Sequence, residues 1–320
     1  MMKSIEKSRN TVDRSAVMKK NKTLKKHGNI FQSENAYYLM VLPFFLIFVL
    51  FTVIPVLTSI ALSFTNFDMV SGPKFAGVEN YARMILSDKI FSITVKNTLF
   101  FAIVTGPLGF LLAFVLAWFI NEFSPIIRTI LSFLFYAPAL IGNAYFVWQI
   151  AFSSDSYGYI NSALLSLGVI TEPIQWLKDA NYIVPIIIIV QLWQSMGVSF
   201  LANISGLQNV NDEMYEAGAI DGIKNRWEEL WYITLPSMKN ILLFSAVMQI
   251  ASSFSISGIA VQLAGYPSVE YAADTIVSYL QDVGTVKYEM GYASALSVVL
   301  FLMMSLSRWM IGKIIDFVGK

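Results

Sequence analysis

Two sets of residues in this chain carry chemistry. One is a group of uncharged amides and hydroxyls inside apolar runs: Asn143, Gln149, Gln191, Gln194, Gln249 and Ser253. Side-chain amides both donate and accept hydrogen bonds, as sugar hydroxyls do. Aromatics such as Trp193 offer flat apolar faces for the C–H side of a sugar ring. Together these suit a neutral polyhydroxyl ligand in a shared polar cavity. The same residue types also join membrane helices to one another, so both readings stand on sequence alone. The second set is a charged, amphipathic stretch between two apolar runs, EAGAIDGIKNRWEELWYITLPSM, from Glu216 to Met238.

Much other chemistry is missing. There is no cysteine, which removes disulfides, thiol catalysis and zinc–thiolate sites. The single histidine, His27, lies in a basic N-terminal tail, so no metal site is expected. No G-x-x-x-x-G-K-[ST] phosphate loop occurs, so the chain does not hydrolyse ATP by that route. Ionisable residues are almost absent from the apolar runs; Arg308 lies near one end, where it can snorkel. Proton- and ion-coupled carriers use acids or histidines at membrane depth, so a pathway drawing energy from elsewhere fits better.

These residues are positioned by a membrane protein. Of 320 residues 56% are hydrophobic and only 13% charged, where a soluble domain averages about 25% charged; mean hydropathy is +0.61. Six apolar runs, Tyr38–Ser63, Thr98–Ile120, Thr129–Ala151, Ile183–Ile204, Asn240–Gln262 and Gly291–Ile311, each approach the roughly 20 residues a helix needs to cross a bilayer. Their length and weak alternation argue against a β-barrel. The expectation is an all-α integral membrane protein with six transmembrane helices. Residues 1–35 form a basic tail expected to be disordered and cytoplasmic, with nine Lys or Arg against three acids. Residues 36–320 form the transmembrane domain. Six spans return the C-terminus to the cytoplasm, placing 16 of the 22 basic residues inside, while the acids divide 11 to 10. A net charge of +1 says nothing about partners, and nothing points to nucleic acid.

The quoted stretch reads as a helical hairpin on a cytoplasmic loop at about 207–238. Asn211 and Asp212 supply a cap and a first-turn acid, and Met214, Ala217 and Ile220 follow at helical spacing. Gly222 stands where a left-handed residue ends the helix. Asn225 with Glu228 reads as a capping-box variant opening a second helix through Trp227, Leu230 and Trp231.

This pattern resembles the EAA motif of ABC importer permeases: Glu-Ala-Ala, three residues, Gly, about nine residues, then Ile-x-Leu-Pro. Here Glu216, Ala217 and Gly218 match the triplet, Gly222 the glycine, and Ile233, Leu235 and Pro236 the end. Gly218 replaces the second alanine, and ten residues separate Gly222 from Ile233. KFAGVENYARM (Lys74–Met84), NTLFF from Asn97, GLQNVNDEMYEAGAIDG from Gly206 and YEMGYASALSVVL (Tyr288–Leu300) resemble further segments of carbohydrate-importer permeases. The overall pattern is most similar to the larger, maltose-type subunit.

The resemblance implies a type I importer permease fold in a bacterial cytoplasmic membrane. It also implies a second homologous permease, two ATPase subunits that bind ATP and Mg, an external solute-binding protein and a carbohydrate cargo. The permease itself is then not an enzyme. The first hairpin helix would be a coupling helix seated on an ATPase, with Glu216, Ala217, Gly218, Asp221 and Gly222 as its contact residues. The external stretches Thr65–Lys96 and Ser154–Tyr182 would dock the binding protein or simply pack over helix ends. Trp148 and Trp176 equally suit the interfacial belt. Two alternatives remain: an importer for a non-sugar such as a polyol phosphate, and a stand-alone facilitator or channel.

Overall fold

The computed structural model describes residues 34–142 and 145–318. Residues 1–33 of the basic tail, with His27, the candidate Asn143 and Lys320 lie outside the described residues, while Glu34 and Asn35 already belong to a helix. The chain divides into two units, 1–59 and 60–320. In the first, helix α1 (Glu34–Phe48) runs through a π-helical turn at Val49–Val53 into α2 (Ile54–Leu62). Met40–Leu62 is long and apolar enough to cross a membrane.

The second unit is organised along one helix. A two-stranded antiparallel ribbon, β1 (Thr65–Asn66) and β2 (Lys74–Phe75), and α3 (Glu79–Leu86) precede it. Asp88 then caps α4 (Lys89–Asn121) by accepting the Phe91 N–H at 2.9 Å. With 33 residues, α4 is about 50 Å long. Three apolar clusters follow one another along it. Near its start, Met84, Ile276, Tyr279, Val283 and Tyr292 pack with Phe91 and Val95. Phe101 anchors the middle among Ile183, Ile187, Val190 and Ile256. Near its end, Ala113, Phe114, Ala117 and Ile120 pack against Phe200, Ile204, Leu230 and Leu242.

The remaining runs are less regular than their hydropathy predicts. The third, expected as one span over Thr129–Ala151, is α5 (Pro125–Leu140) and a separate α6 (Phe146–Ala151). Pro125 opens α5 at a position that has no helical N–H partner to lose. Pro138 near the other end removes a donor there. After α7 (Tyr159–Ser166), the fourth run is α8 (Ala180–Gln194) and α9 (Val198–Gln208), bent by 42° across Ser195–Gly197.

Past the hairpin, described below, α13 (Lys239–Phe254) and α14 (Ser257–Ala264) together form an apolar stretch of 26 residues. The loop Gly265–Thr275 leads to α15 (Ile276–Gln281), a π-helical turn at Asp282–Val286 and α16 (Met290–Val318). Among the described residues four helices are long and apolar enough to span a membrane, or five with the bent pair counted as one span; α5 is shorter. Of the six apolar runs, four carry long helices, one is a bent pair and one is divided between α5 and α6, so four or five spans are supported.

Candidate functional site

Two regions hold the residues singled out from the sequence, one at the end of α4 and the other beside its middle and start. The first is the hairpin. Helix α10 (Asp212–Ile220) begins at Asn211, whose Oδ1 accepts the Glu213 N–H at 3.2 Å. It ends at Gly222, which adopts φ +97°, a conformation costly for residues with a Cβ. Ile223 N–H reaches back to Gly218 O (2.9 Å) and Gly222 N–H to Ala219 O (3.4 Å), the paired bonds of a Schellman ending.

The next element, α11 (Arg226–Glu229), is capped by Asn225, which accepts the Glu228 N–H at 2.9 Å. The Glu228 carboxylate in turn accepts from Lys224 N–H at 2.8 Å. This is the expected capping box displaced by one residue. The backbone then widens into a π-helical turn over Leu230–Thr234 before α12 (Leu235–Ser237). A π turn takes up one residue more than an α turn. The tenth residue between Gly222 and Ile233 is thus absorbed locally, and Ile233, Thr234 and Leu235 keep their places against the bundle.

The hairpin closes on itself and on the long helices. Tyr215 OH lies 2.9 Å from Thr234 Oγ1. Gly218 is buried, and a Cβ there would stand 2.6 Å from Ile233 Cδ1 and 3.0 Å from Ile223 Cδ1. The sequence reading made Gly218 a contact residue of the coupling helix; in the structure its small size serves contact with Ile233 inside the hairpin. Arg226 bonds Glu229 and Glu122 at 2.8 Å each, and Trp227 packs on Trp118 with ring centroids 5.3 Å apart. Leu230, Met238 and Leu242 enter the cluster at the end of α4. Facing outward are Glu216, Ala217, Asp221, Gly222 and Ile220, the last 86% exposed. Of the apolar residues at helical spacing in α10, Ala217 and Ile220 face outward, while the Met214 sulfur accepts from Ser237 Oγ at 3.6 Å.

The described candidate cavity residues lie on α6, α8 and α13. Gln191 is buried and donates to Ser252 O (3.0 Å) and Oγ (3.2 Å), joining α8 to α13. Ser253 bonds its own helix at Ile250 O (2.8 Å) and edges an apolar groove of about 500 Å³ between α4, α13 and α16. Gln249 is buried over Gly109, where any side-chain carbon would overlap its Nε2. Neither amide atom of Gln249 finds a partner among the described residues, nor does either amide atom of Asn203 on α9; Gln194 Oε1 is likewise unpartnered. Gln149 lies in a different place, a polar cavity of about 510 Å³ at the end of α4 opposite the hairpin.

That opposite end contains residues which sequence reasoning left unassigned. Asn161, fully buried, donates to Ser153 O (3.2 Å), Asp155 O (3.1 Å) and Ile174 O (3.0 Å). It accepts from Ile174 N–H (3.1 Å) and Trp176 Nε1–H (2.8 Å). Trp176 is thus a structural donor, and Trp148 packs on Phe152 and Trp193 with centroids 5.9 and 5.5 Å apart. Asn97 donates to Tyr271 O (2.7 Å) and Asp274 O (2.9 Å), pinning the Gly265–Thr275 loop. Asp88 receives the hydroxyls of Tyr279 and Tyr292 at 2.5 Å each. Burial opposes ionisation of Asp88, but these hydroxyls and the Phe91 N–H outweigh it and hold the carboxyl below its usual range. No local pattern marks Asn161 for its role, since its partners come from both sides of α7.

No family model matches the chain. It is 31% identical over 290 residues to the probable ABC transporter permease protein YesP of Bacillus subtilis (strain 168), covering 88% of this chain and 91% of that protein. To the lactose transport system permease protein LacF of Rhizobium radiobacter it is 32% identical over 215 residues, covering 66% and 70% respectively. A crystal structure of a bacterial ABC transporter involved in the import of the acidic polysaccharide alginate matches with TM-score 0.75 at 21% identity, covering 92% of this chain and all (100%) of that one. The fold is that of an ABC importer permease, the hairpin stands where the EAA pattern put it, and with these relatives the chain belongs to the permease subunits of sugar ABC transporters.

Proposed function

We propose that this chain is one of two homologous permease subunits in an ATP-driven carbohydrate importer of a bacterial cytoplasmic membrane. It crosses the membrane six times with both termini inside, as the Lys and Arg distribution favours. Two ATPase subunits bind ATP and Mg, and an external solute-binding protein delivers the cargo, an oligosaccharide. The cargo reading is supported by the lactose and alginate named for its relatives and by the many uncharged amides on α8, α9 and α13.

The observation that carries the proposal is the hairpin's construction. It is stiffened by two caps, fixed to α4 and α13 by buried apolar residues, and left uncovered on the face of Glu216, Ala217 and Ile220. Such a body transmits a push from a docked ATPase into the spans. Exposed Glu216 offers that subunit a charge-assisted bond. Acids at Asp212, Glu213, Glu216 and Asp221 would be repelled by an anionic leaflet, which speaks against a helix resting on headgroups. In the same reading Gln249 and Asn203 acquire hydrogen-bond partners when α9 shifts against α13 during the transport cycle.

The test is to purify the tagged chain from mild detergent with its stoichiometric partners, then measure ATP hydrolysis and sugar uptake in proteoliposomes. A second permease, an ATPase and sugar uptake that requires ATP are the expected result. A homo-oligomer that moves solute without ATP would overturn it in favour of a facilitator.

A further inference from the structure

We infer that the polar cavity beside Gln149 is an entry subsite for one end of a neutral oligosaccharide, occupied before the sugar reaches the spans. The inference rests on the carbohydrate reading above and adds a place and a set of residues to it. The cavity measures about 510 Å³, within the roughly 300–1,000 Å³ of small-molecule sites. Its walls come from the end of α6 and the turn after it, the 175–178 segment and the end of α14. Gln149 and Gln262 line it, and neither side chain bonds another described residue. Gln175 spends its Nε2 on Ser154 O (2.9 Å) and keeps its Oε1 as an acceptor.

Three amides with unspent donors and acceptors match hydroxyl groups, which also do both. Leu177, Leu263 and Ala264 on the same wall offer aliphatic surface for a ring's C–H face. The charges nearly cancel: Lys178 is balanced by Asp155, whose Oδ1 already accepts the N–H groups of Tyr157 and Gly158 at 3.0 and 2.8 Å. A site for an anion or an acidic peptide would carry a surplus of one sign. The walls are also held in place before any ligand arrives. Asn161 fixes Ser153, Asp155 and Ile174 from behind. A row of rings runs Trp193, Trp148, Phe152, Trp176, Tyr182, with successive centroids 5.5, 5.9, 5.9 and 5.3 Å apart. Prior ordering of this kind lowers the entropy lost on binding.

The absence of cysteine from the chain makes a direct test simple. Gln149→Cys and Gln262→Cys are introduced singly into the complete transporter in proteoliposomes and labelled with a polar maleimide. Lactose, trehalose and an arabinotriose serve as neutral probes, with a trigalacturonate as an anionic control that should not slow labelling. A sugar that the wild type transports should slow labelling at both positions in the absence of the solute-binding protein. The double variant Gln149→Ala/Gln262→Ala should lose about tenfold in affinity for that sugar, the effect of two forfeited hydrogen bonds, with the complex still assembled at wild-type stoichiometry. If the wild type transports a probe but labelling and affinity are unchanged, the subsite is overturned and the carbohydrate reading survives. If no probe is transported, both fall. Protection by sugar-free binding protein alone, with none from sugar, would make the cavity a protein-docking surface and also overturn the inference.

Discussion

At its last turn α4 meets the hairpin through an exposed ion pair, Arg226–Glu122, and the Trp118–Trp227 contact, beside an apolar cluster. At its first turn Asp88 draws in hydroxyls from Tyr279 and Tyr292, which follow it by 191 and 204 residues. Arg226 of the hairpin reaches out to Glu122, whereas the bonds of its caps and of Tyr215–Thr234 are local, and one face is left over. At the opposite end, polar groups from distant segments are spent on one another. The first arrangement presents a surface; the second holds loops around a cavity. Under the proposed function the first end is the one pushed and the second the one that receives.

The strongest way to break that division is at the uncovered face. Glu216→Lys reverses an exposed charge without touching any internal contact. It should abolish ATP-dependent uptake while purified chain, partner content and thermal stability stay unchanged. Normal transport with the ATPase bound would remove the coupling role from α10.

At the receiving end, Asn161→Ala should act in the opposite way, through stability. It strips bonds from Trp176 Nε1 and Ile174 N–H and from three carbonyls. Each buried polar group left unpaired costs about 1–3 kcal/mol, enough to open the segment locally. Hydrogen–deuterium exchange over residues 153–179 should rise sharply with no change around α10. Unchanged protection there would mean the segment is held by its aromatic row alone.

How much of this could be read from the sequence follows the same division. The hairpin was legible because its signals are short-range: Asn211 and Asn225 as caps, Gly222 as the stop, and fixed spacing to Ile233 and Pro236. Its interior was not. That Gly218 turns inward, or that Leu230–Thr234 absorbs an extra residue as a π turn, depends on which face of each helix meets the other. The apolar runs were visible from composition, but not the break after Leu140 or the bend at Ser195–Gly197. Amides such as Gln149, Gln191 and Gln249 could be chosen by type, yet type does not separate a cavity wall from a helix contact. Asn161 and Asn97 escaped because every bond that defines them lies in the fold.

A milder intervention sharpens the account of the hairpin. Gly218→Ala improves helix propensity by about 1 kcal/mol but forces Ile233 aside, and overpacking costs about 1–3 kcal/mol. The net change should be small and unfavourable, reducing uptake in part. Adding Ile233→Val removes Cδ1 and should restore it. Deleting Tyr232, an exposed residue inside the π turn, should convert that turn to α-helix and leave transport intact. Loss of transport in the deletion would show that the π turn does more than preserve register.

The smallest expected effect concerns pH, and it sets two carboxylates at the receiving end against each other. Asp88 is held below its ordinary range because the Tyr279 and Tyr292 hydroxyls outweigh burial. Its contribution is therefore complete above the unfolded value of about 3.9 and is lost as pH falls through the lower folded value. Asp274 is shifted the other way. Burial raises its pKa, only partly offset by the bond from Ser268 N–H, and the charge of Asp282 adds to the rise. Its folded form favours the proton, so its contribution is complete below about 3.9 and is lost as pH climbs through the raised value. One of its oxygens, Oδ2, has no partner among the described residues, which is why ionisation there is poorly compensated. Asp88→Asn should therefore remove the acid-side loss of protection in Tyr266–Tyr292, and Asp274→Asn should remove the loss on the neutral side. Exchange measured across pH, corrected for the intrinsic rate, separates the two. If Asp274→Asn weakened the segment at pH 7 more than at pH 4, the buried carboxylate would be a structural anion, and the polar knots at this end would be stronger than their geometry implies.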